Sequence, residues 1–297
     1  MDNRYTITFT ATAAIMLRSA LQSYGISKKA LTAIKFRGGE ITVNGQEQTV
    51  RHVLEAGDII TVKFPREEVS DGLVPVDGPL DIVYEDAEIL ILNKQPYQAT
   101  IPSHNHLDTN VAAIVAGYFQ KNHIPSTVHV VNRLDRNTSG LMCIAKHRHV
   151  HHVLCEQQKR HDISRQYEAI VHGHVSLDEG AIIAPIGRHD TSIIERVICP
   201  EGQFAHTDYK VLRRFTYEGE PMTHVRLFLH TGRTHQIRVH MAHLGHPLVG
   251  DTLYDGRLTG IERSALHCVY MQLTHPLTQH TIQWESALPD DMQQLLR

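Results

Sequence analysis

The alternation of apolar and polar residues divides the chain into two unequal stretches. In the first, residues 13–24 read as a helix stopped by Gly25. Ser27 suits an N-cap, and residues 28–37 form a second helix ended by Gly38 and Gly39. Ile41 and Val43 then alternate with polar residues up to Asn44-Gly45, a strong tight-turn signal. Residues 58–64 predict another strand. On the second helix Leu31 and Ile34 can face a core, while Lys28, Thr32 and Lys35 fall on an adjacent stripe by the 3.6-residue period.

Beyond residue 80 the pattern predicts strands at 81–84, 88–93, 129–131, 140–145, 165–172, 206–215, 224–230, 266–273 and 281–285. Helices are predicted at 109–120, 147–159, 235–244 and 290–296. Many strands follow one another without a helix between them. An α+β fold is therefore expected, not a doubly wound parallel sheet. The sequence shows no internal repeat, no low-complexity tract, no phosphate-binding glycine loop ending in Gly-Lys-Ser/Thr and no dinucleotide fingerprint.

Length and charge sharpen the division. A chain of 297 residues favours two domains, at roughly 100–200 residues each. Residues 1–65 hold eight basic and five acidic side chains, a balance of +3. Residues 66–90 hold one basic and eight acidic side chains, a balance of −7. That reversal, with Gly72, Pro75, Gly78 and Pro79, marks an acidic linker at 66–80 between a module at 1–65 and a larger domain at 81–297. The whole-chain charge of −3 conceals this unevenness. The composition is 41% hydrophobic and 21% charged, as in folded cytosolic proteins. No run reaches the ~18 apolar residues of a membrane span, and MDNRYTITFT lacks the pattern of a signal peptide. Cys143, Cys155, Cys199 and Cys268 are scattered, without a Cys-x-x-Cys pair, and read as reduced thiols. A cytoplasmic monomer is expected.

Three stretches can carry chemistry. Val131 to Leu141, VNRLDRNTSGL, places Asp135 on a loop between two apolar strands, where catalytic groups commonly sit. Taken alone, an Asp flanked by Arg133 and Arg136 is more often a structural ion pair. Arg165 to Gly173, RQYEAIVHG, is a strand that sets Tyr167 on one face, ordinarily a core tyrosine. In Thr231 to His240, TGRTHQIRVH, a strand ends at Gly232 and a helix begins, with Arg233 and Arg238 as ordinary surface charges if nothing else is considered.

Together these stretches resemble the RluA family of pseudouridine synthases, from about residue 81 to the C-terminus and in the family's order. RLDRNTSGL and GRTHQIRVHMAHLGHPLVGD are both highly specific. The resemblance implies a bent, mostly antiparallel sheet with an RNA cleft, Asp135 as the catalytic aspartate, Tyr167 as the site tyrosine and Arg233 as the arginine pairing with the carboxylate. Arg133 falls where the family places an arginine near the flipped-out nucleotide, and Arg136 beside it is a further RNA contact. Asn132 stands where the family commonly has His, and Arg165 where it commonly has Lys; Asn132 puts in doubt any detail that needs an imidazole there. Residues 15–64 resemble the alpha-L RNA-binding module named after the fourth small-subunit ribosomal protein. That resemblance makes Lys28, Lys29, Lys35 and Arg37 the expected RNA-contacting side chains. The arrangement is similar to enzymes acting on large-subunit ribosomal RNA.

The residue types suit the reaction that the resemblance implies. Uridine loses its N-glycosidic bond, the uracil turns, and its carbon five rejoins the sugar. An ionised carboxylate can attack the anomeric carbon or take a sugar proton, and an arginine partner favours that charge. Tyr167 can stack on the base or move the proton from carbon five. The base must leave its stack first. Nothing is oxidised or imported, so no cofactor or metal is expected. A metal-dependent hydrolase is the rival reading. His147, His149, His151 and His152 cluster, as do His240, His243 and His246, but the first group lacks a His-Glu-x-x-His pattern, so RNA-facing or surface histidines are expected. A catalytically silent RNA-binding protein is a third reading, opposed by the intact Asp135, Tyr167 and Arg233.

Overall fold

The computed structural model describes residues 4–67, 72–102 and 110–297. The first stretch builds its own small core. Strands Thr6–Thr10, Ile59–Lys63, Glu40–Val43 and Gln46–Glu47 pair antiparallel in that order. At the hairpin, Asn44 and Gly45 have φ of 49° and 79°, the left-handed pair that a tight two-residue turn demands. Asn44 also donates to Asp58 and accepts from the Ile59 amide, which ties the turn to the next strand. The second helix runs Lys28–Phe36, and Ser27 accepts from the Ala30 amide as expected of an N-cap.

The first helix is shorter than expected, Leu17–Ser23. Ile15 and Met16 instead pair with Leu54 and Val53, a cross-strand choice that local spacing does not encode. Leu17, Leu21, Ile34, Leu54, Ile60 and Val62 are buried together between the helices and the sheet.

The remainder centres on a ten-stranded sheet. Its main path runs Glu179–Ile183, His206–Tyr217, Glu220–Leu229, Ser164–His172, Leu266–Thr274, Ser139–Ala145, Ile89–Lys94 and Ile82–Glu85. Every pairing is antiparallel except one, between Ser139–Gly140 and His267–Cys268. The fold is therefore α+β with a mostly antiparallel sheet. At the parallel contact Gly140 has φ of 108°, and a Cβ there would lie 2.4 Å from the Cys268 carbonyl oxygen. Only glycine lets these two strands meet, and the loop bearing Asp135 ends at that meeting point. Strand Leu266–Thr274 then turns its far half to Thr281–Glu285, so the sheet divides beside the loop.

Helices Val111–Lys121 and Arg148–Lys159 lay Val115, Phe119, Val150 and Leu154 into the core around Ile91 and Met142. Burial of such a side chain contributes roughly 1.5–3 kcal/mol. The expected start of the first of these helices, Thr109, lies outside the described residues. Strands Thr6–Thr10, Glu179–Ile183, Ile186–Arg188 and Arg196–Ile198 were not anticipated; the last two form a separate two-stranded ribbon.

The N-terminal stretch packs on helix Arg148–Lys159 through aromatic rings. Tyr5 stacks on His147 at 4.2 Å, and Phe64 stacks on His149 at 4.9 Å. Glu67, in the expected linker, accepts from His129 at 2.6 Å and from the Arg148 amide at 2.7 Å. Burial would push its carboxyl up, but the His129 bond, the charges of His129 and His147 and the Arg148 amide prevail and bring it down to about 2.

Candidate active site

The loop between His129–Val130 and Ser139–Ala145 is braced by buried polar groups. Thr100 Oγ1 both donates to the Leu134 carbonyl (2.6 Å) and accepts from the Leu134 amide. Asn132 Oδ1 accepts from the Cys143 amide at 2.8 Å. Asn132 is therefore a brace for the loop's own backbone, which an imidazole is not needed to supply. Fully buried Arg263 donates to the Asn137 carbonyl and pairs with Asp291. Lys94, also buried, donates to the carbonyls of Gln95, Gln98 and Arg136. Burial pulls its pKa down to about 7, while the three carbonyls match the three donors that an ammonium offers.

These braces set Asp135 on the wall of a cleft of about 660 Å³, with its side chain 30% exposed. Arg133, Arg136, Tyr167, Arg233 and Arg238 line the same cleft. Arg133 and Arg136 are exposed, and neither forms an ion pair with a carboxylate among the described residues. Tyr167 is buried, and burial, with the neighbouring Cys268 sulfur, raises its pKa well beyond the usual phenol range. It is a neutral ring and O–H donor in this site, which disfavours a phenolate base.

The cation beside Asp135 is Arg238, which corrects the expectation that Arg233 pairs with it. Arg238 Nη1 lies 3.4 Å from Asp135 Oδ2, while its Nε and Nη2 form a two-pronged bond to buried Asp251 at 2.6 and 2.7 Å. Arg233 is exposed and donates through Nε to the Phe204 carbonyl; no ion pair joins it to Asp135 among the described residues. The local geometry explains the difference. Gln236 Oε1 accepts from the Arg233 amide and Thr231 hydroxyl, closing a turn that leaves Arg233 outside. The helix Gln236–His243 then carries Arg238 in its first turn, 9% exposed and facing the cleft. A sequence signal did exist. A buried arginine needs a carboxylate, and Asp251 is the only acid in GRTHQIRVHMAHLGHPLVGD.

The basic side chains of the N-terminal stretch lie elsewhere. Lys28, Lys29, Lys35 and Arg37 are all exposed, with Lys28, Thr32 and Lys35 on the solvent side of the helix opposite buried Ile34.

The histidine clusters have structural employment. His147 caps its helix by accepting from the His149 amide, and burial lowers both rings' pKa to about 4. His240 is buried between Thr207 and the Ala184 carbonyl. For these three the expectation of surface or RNA-facing rings is corrected. His151 and His246 bond the carbonyls of Val130 and His172. A different trio does converge: His206 and His230 each donate to one oxygen of Asp208, at 2.8 and 2.6 Å. Their rings stack at 4.2 Å and 21°, and one ligand atom from each of the three residues lies within 4.8 Å of the others.

Comparison with known proteins gives a consistent picture. The family profile described as RNA pseudouridylate synthase matches residues 88–243. The Bacillus subtilis (strain 168) protein named "Uncharacterized RNA pseudouridine synthase YjbO" is 49% identical over 273 residues, covering 92% of this chain and 95% of that one. Ribosomal large subunit pseudouridine synthase D of Escherichia coli (strain K12) is 38% identical over 236 residues, covering 75% and 71% respectively. Among solved structures, human RNA Pseudouridylate Synthase Domain Containing 1 superposes with a TM-score of 0.59 at 27% identity, covering 74% of this chain and 86% of its own.

Proposed function

The chain belongs to the RNA pseudouridylate synthase family and acts as an isomerase of uridine in RNA, and from that premise we propose which residues perform the reaction and on which RNA. Asp135 is the catalytic carboxylate, with Arg238 as its cation, and Tyr167 is the ring against which the flipped uracil stacks. The observation that carries this is the position of Asp135: a partly exposed carboxylate on a cleft wall, on a rigidly braced loop, within reach of one guanidinium.

In the proposed reaction the bond between C1′ and N1 breaks while Asp135 acts at the sugar, either at C1′ or on its neighbouring proton. Uracil turns within the cleft, a C1′–C5 bond forms as the Asp135–C1′ bond breaks or the abstracted proton returns to C2′, and the proton on C5 is lost as N1 gains one. Atoms and charge balance with nothing imported. Arg238 offsets the charge on Asp135 without being consumed, because Asp251 holds two of its donors throughout. Arg133 and Arg136, both exposed and lining the cleft, contact the phosphates flanking an extruded nucleotide in this reading.

The proposed target is large-subunit ribosomal RNA. Its support is the likeness to relatives whose names state that substrate, together with a separate N-terminal core that displays Lys28, Lys29, Lys35 and Arg37 to solvent. We read residues 1–65 as an RNA-binding module and 66–80 as its linker. Pseudouridine mapping of total RNA from cells with and without the gene tests the target. Loss of one or more large-subunit sites is the expected result; loss confined to transfer RNA would replace the target while leaving the chemistry.

A further inference from the structure

His235 begins the helix that carries Arg238, and it does so in the left-handed region, φ 57° and ψ 18°. A non-glycine residue there is uncommon and persists where its surroundings demand it. The conformation turns the ring into the cleft, 11% exposed, with Nε2 3.9 Å from Asp135 Oδ2. Its other nitrogen, Nδ1, lies 2.8 Å from the Tyr254 hydroxyl. That hydroxyl also accepts from the Arg196 amide at 2.9 Å. A backbone amide can only donate, so the phenol oxygen accepts there, and its own proton is available for Nδ1. With the phenol as donor the chain runs Arg196 N–H to Tyr254 O–H to His235 Nδ1, which puts the remaining ring proton on Nε2, facing Asp135. Tyr254 serves a second purpose. The Arg238 guanidinium carbon lies 4.9 Å above the centre of its ring.

Resting on the assignment of Asp135 above, we propose that Tyr254 is a positioning residue: it fixes His235 as a neutral Nε2–H donor facing Asp135 and supports Arg238 from beneath. Asp135 then has one full positive partner and one neutral donor. A doubly protonated His235 would clamp the carboxylate in an ion pair and withhold it from the sugar. The charges around the ring are Asp135 and Asp251, which favour its protonation, and Arg238 and Arg196, which oppose it. Burial opposes it too, and it is the largest influence in lowering the ring's pKa. The Tyr254 hydroxyl adds a donor where the extra proton would have to go.

Single-turnover rates at saturating RNA, measured across a pH series from about 5 to about 9, test the assignment. In Tyr254→Phe the ring accepts a proton more readily. The acid limb should move to higher pH, with about a tenfold loss near pH 6.5 that shrinks to under about twofold at the alkaline end, and RNA affinity should be unchanged. His235→Gln keeps an N–H at similar reach but cannot titrate. It should abolish the limb, leaving a rate that no longer varies with pH on the acid side, and render Tyr254→Phe nearly silent in the double variant. Ring-nitrogen NMR of the RNA-free protein, with His235→Gln used to assign the signal, should show the Nε2–H tautomer at neutral pH. A pH-independent loss in Tyr254→Phe, full additivity of the two substitutions, or an Nδ1–H or imidazolium ring at neutral pH would each overturn the proposal. The NMR result does not depend on turnover, so it stands apart from any failure of the assignment of Asp135.

Discussion

The loop from Val131 to Thr138 and the helix Lys28–Phe36 both present cations for which RNA is the proposed partner, but they are held in opposite ways. The loop's backbone is gripped by Thr100, Asn132, Lys94 and Arg263, polar groups that are all buried. The helix is held on its inner face by apolar contact, through Ile34 with Ala30 and Leu31, and its lysines have solvent around them. The difference follows from what each would be asked to do. A carboxylate acting on one carbon must be placed to within a fraction of an ångström, and directional hydrogen bonds supply that. Phosphate attraction falls off gradually with distance and tolerates a mobile side chain.

This contrast can be broken most severely at the loop. Asp135→Asn should reduce pseudouridine formation by roughly three orders of magnitude or more while RNA affinity stays within a few-fold, since an amide keeps the shape and loses the charge. Substantial turnover by a verified, undeamidated variant would remove Asp135 from its role. Arg238→Met comes next. It leaves Asp251 buried without its cation, at a cost of roughly 3–5 kcal/mol, and strips the partner from Asp135, so both thermal stability and rate should fall. Arg233→Met, by contrast, should leave the melting temperature within a degree or so and the rate within about tenfold, because the only described bond of its side chain is to an exposed carbonyl. The reverse ranking would restore Arg233 as the partner.

The junction of the two regions should respond to acid. His147 and His149 have folded-state pKa values lowered to about 4 from 6.5. The unfolded or undocked chain then binds more protons in that window, so the stabilisation is present above pH 6.5 and is lost as pH falls towards 4, by about 3 kcal/mol per ring. Glu67, held down to about 2, adds a loss between about 4.5 and 2. Melting curves and limited proteolysis between residues 64 and 80 across this range should show the N-terminal stretch loosening first; a pH-independent melt would refute the neutral-ring packing. The smallest effect belongs to the helix. Lys28→Ala with Lys35→Ala should weaken RNA binding several-fold, flatten the log–log salt slope by about one to two, and leave the saturated rate unchanged. A collapse of that rate with unchanged affinity would make the module a support for the catalytic region.

Much of this was legible in advance. The turn at Asn44-Gly45, the Ser27 cap and the long strands followed from backbone preference and periodicity, because those signals are local. VNRLDRNTSGL marked Asp135 by motif and by its place between strands. The strands Thr6–Thr10, Glu179–Ile183 and Arg196–Ile198 were missed because they are short and owe their existence to a pairing partner. The start of the first helix was lost to a pairing with residues 53 and 54 for the same reason.

By itself the sequence determined the family, the carboxylate proposed to react and the kinds of side chain around it. Tertiary structure alone decided which arginine meets Asp135 across a separation of 103 residues, which buried groups steady the loop, and which histidines serve as packing. An ion pair is made or lost over 1 or 2 Å of side-chain reach. Arg233 and Arg238 are alike in charge and close in sequence, and only the turn closed by Gln236 and the carboxylate of Asp251 aims one of them inward.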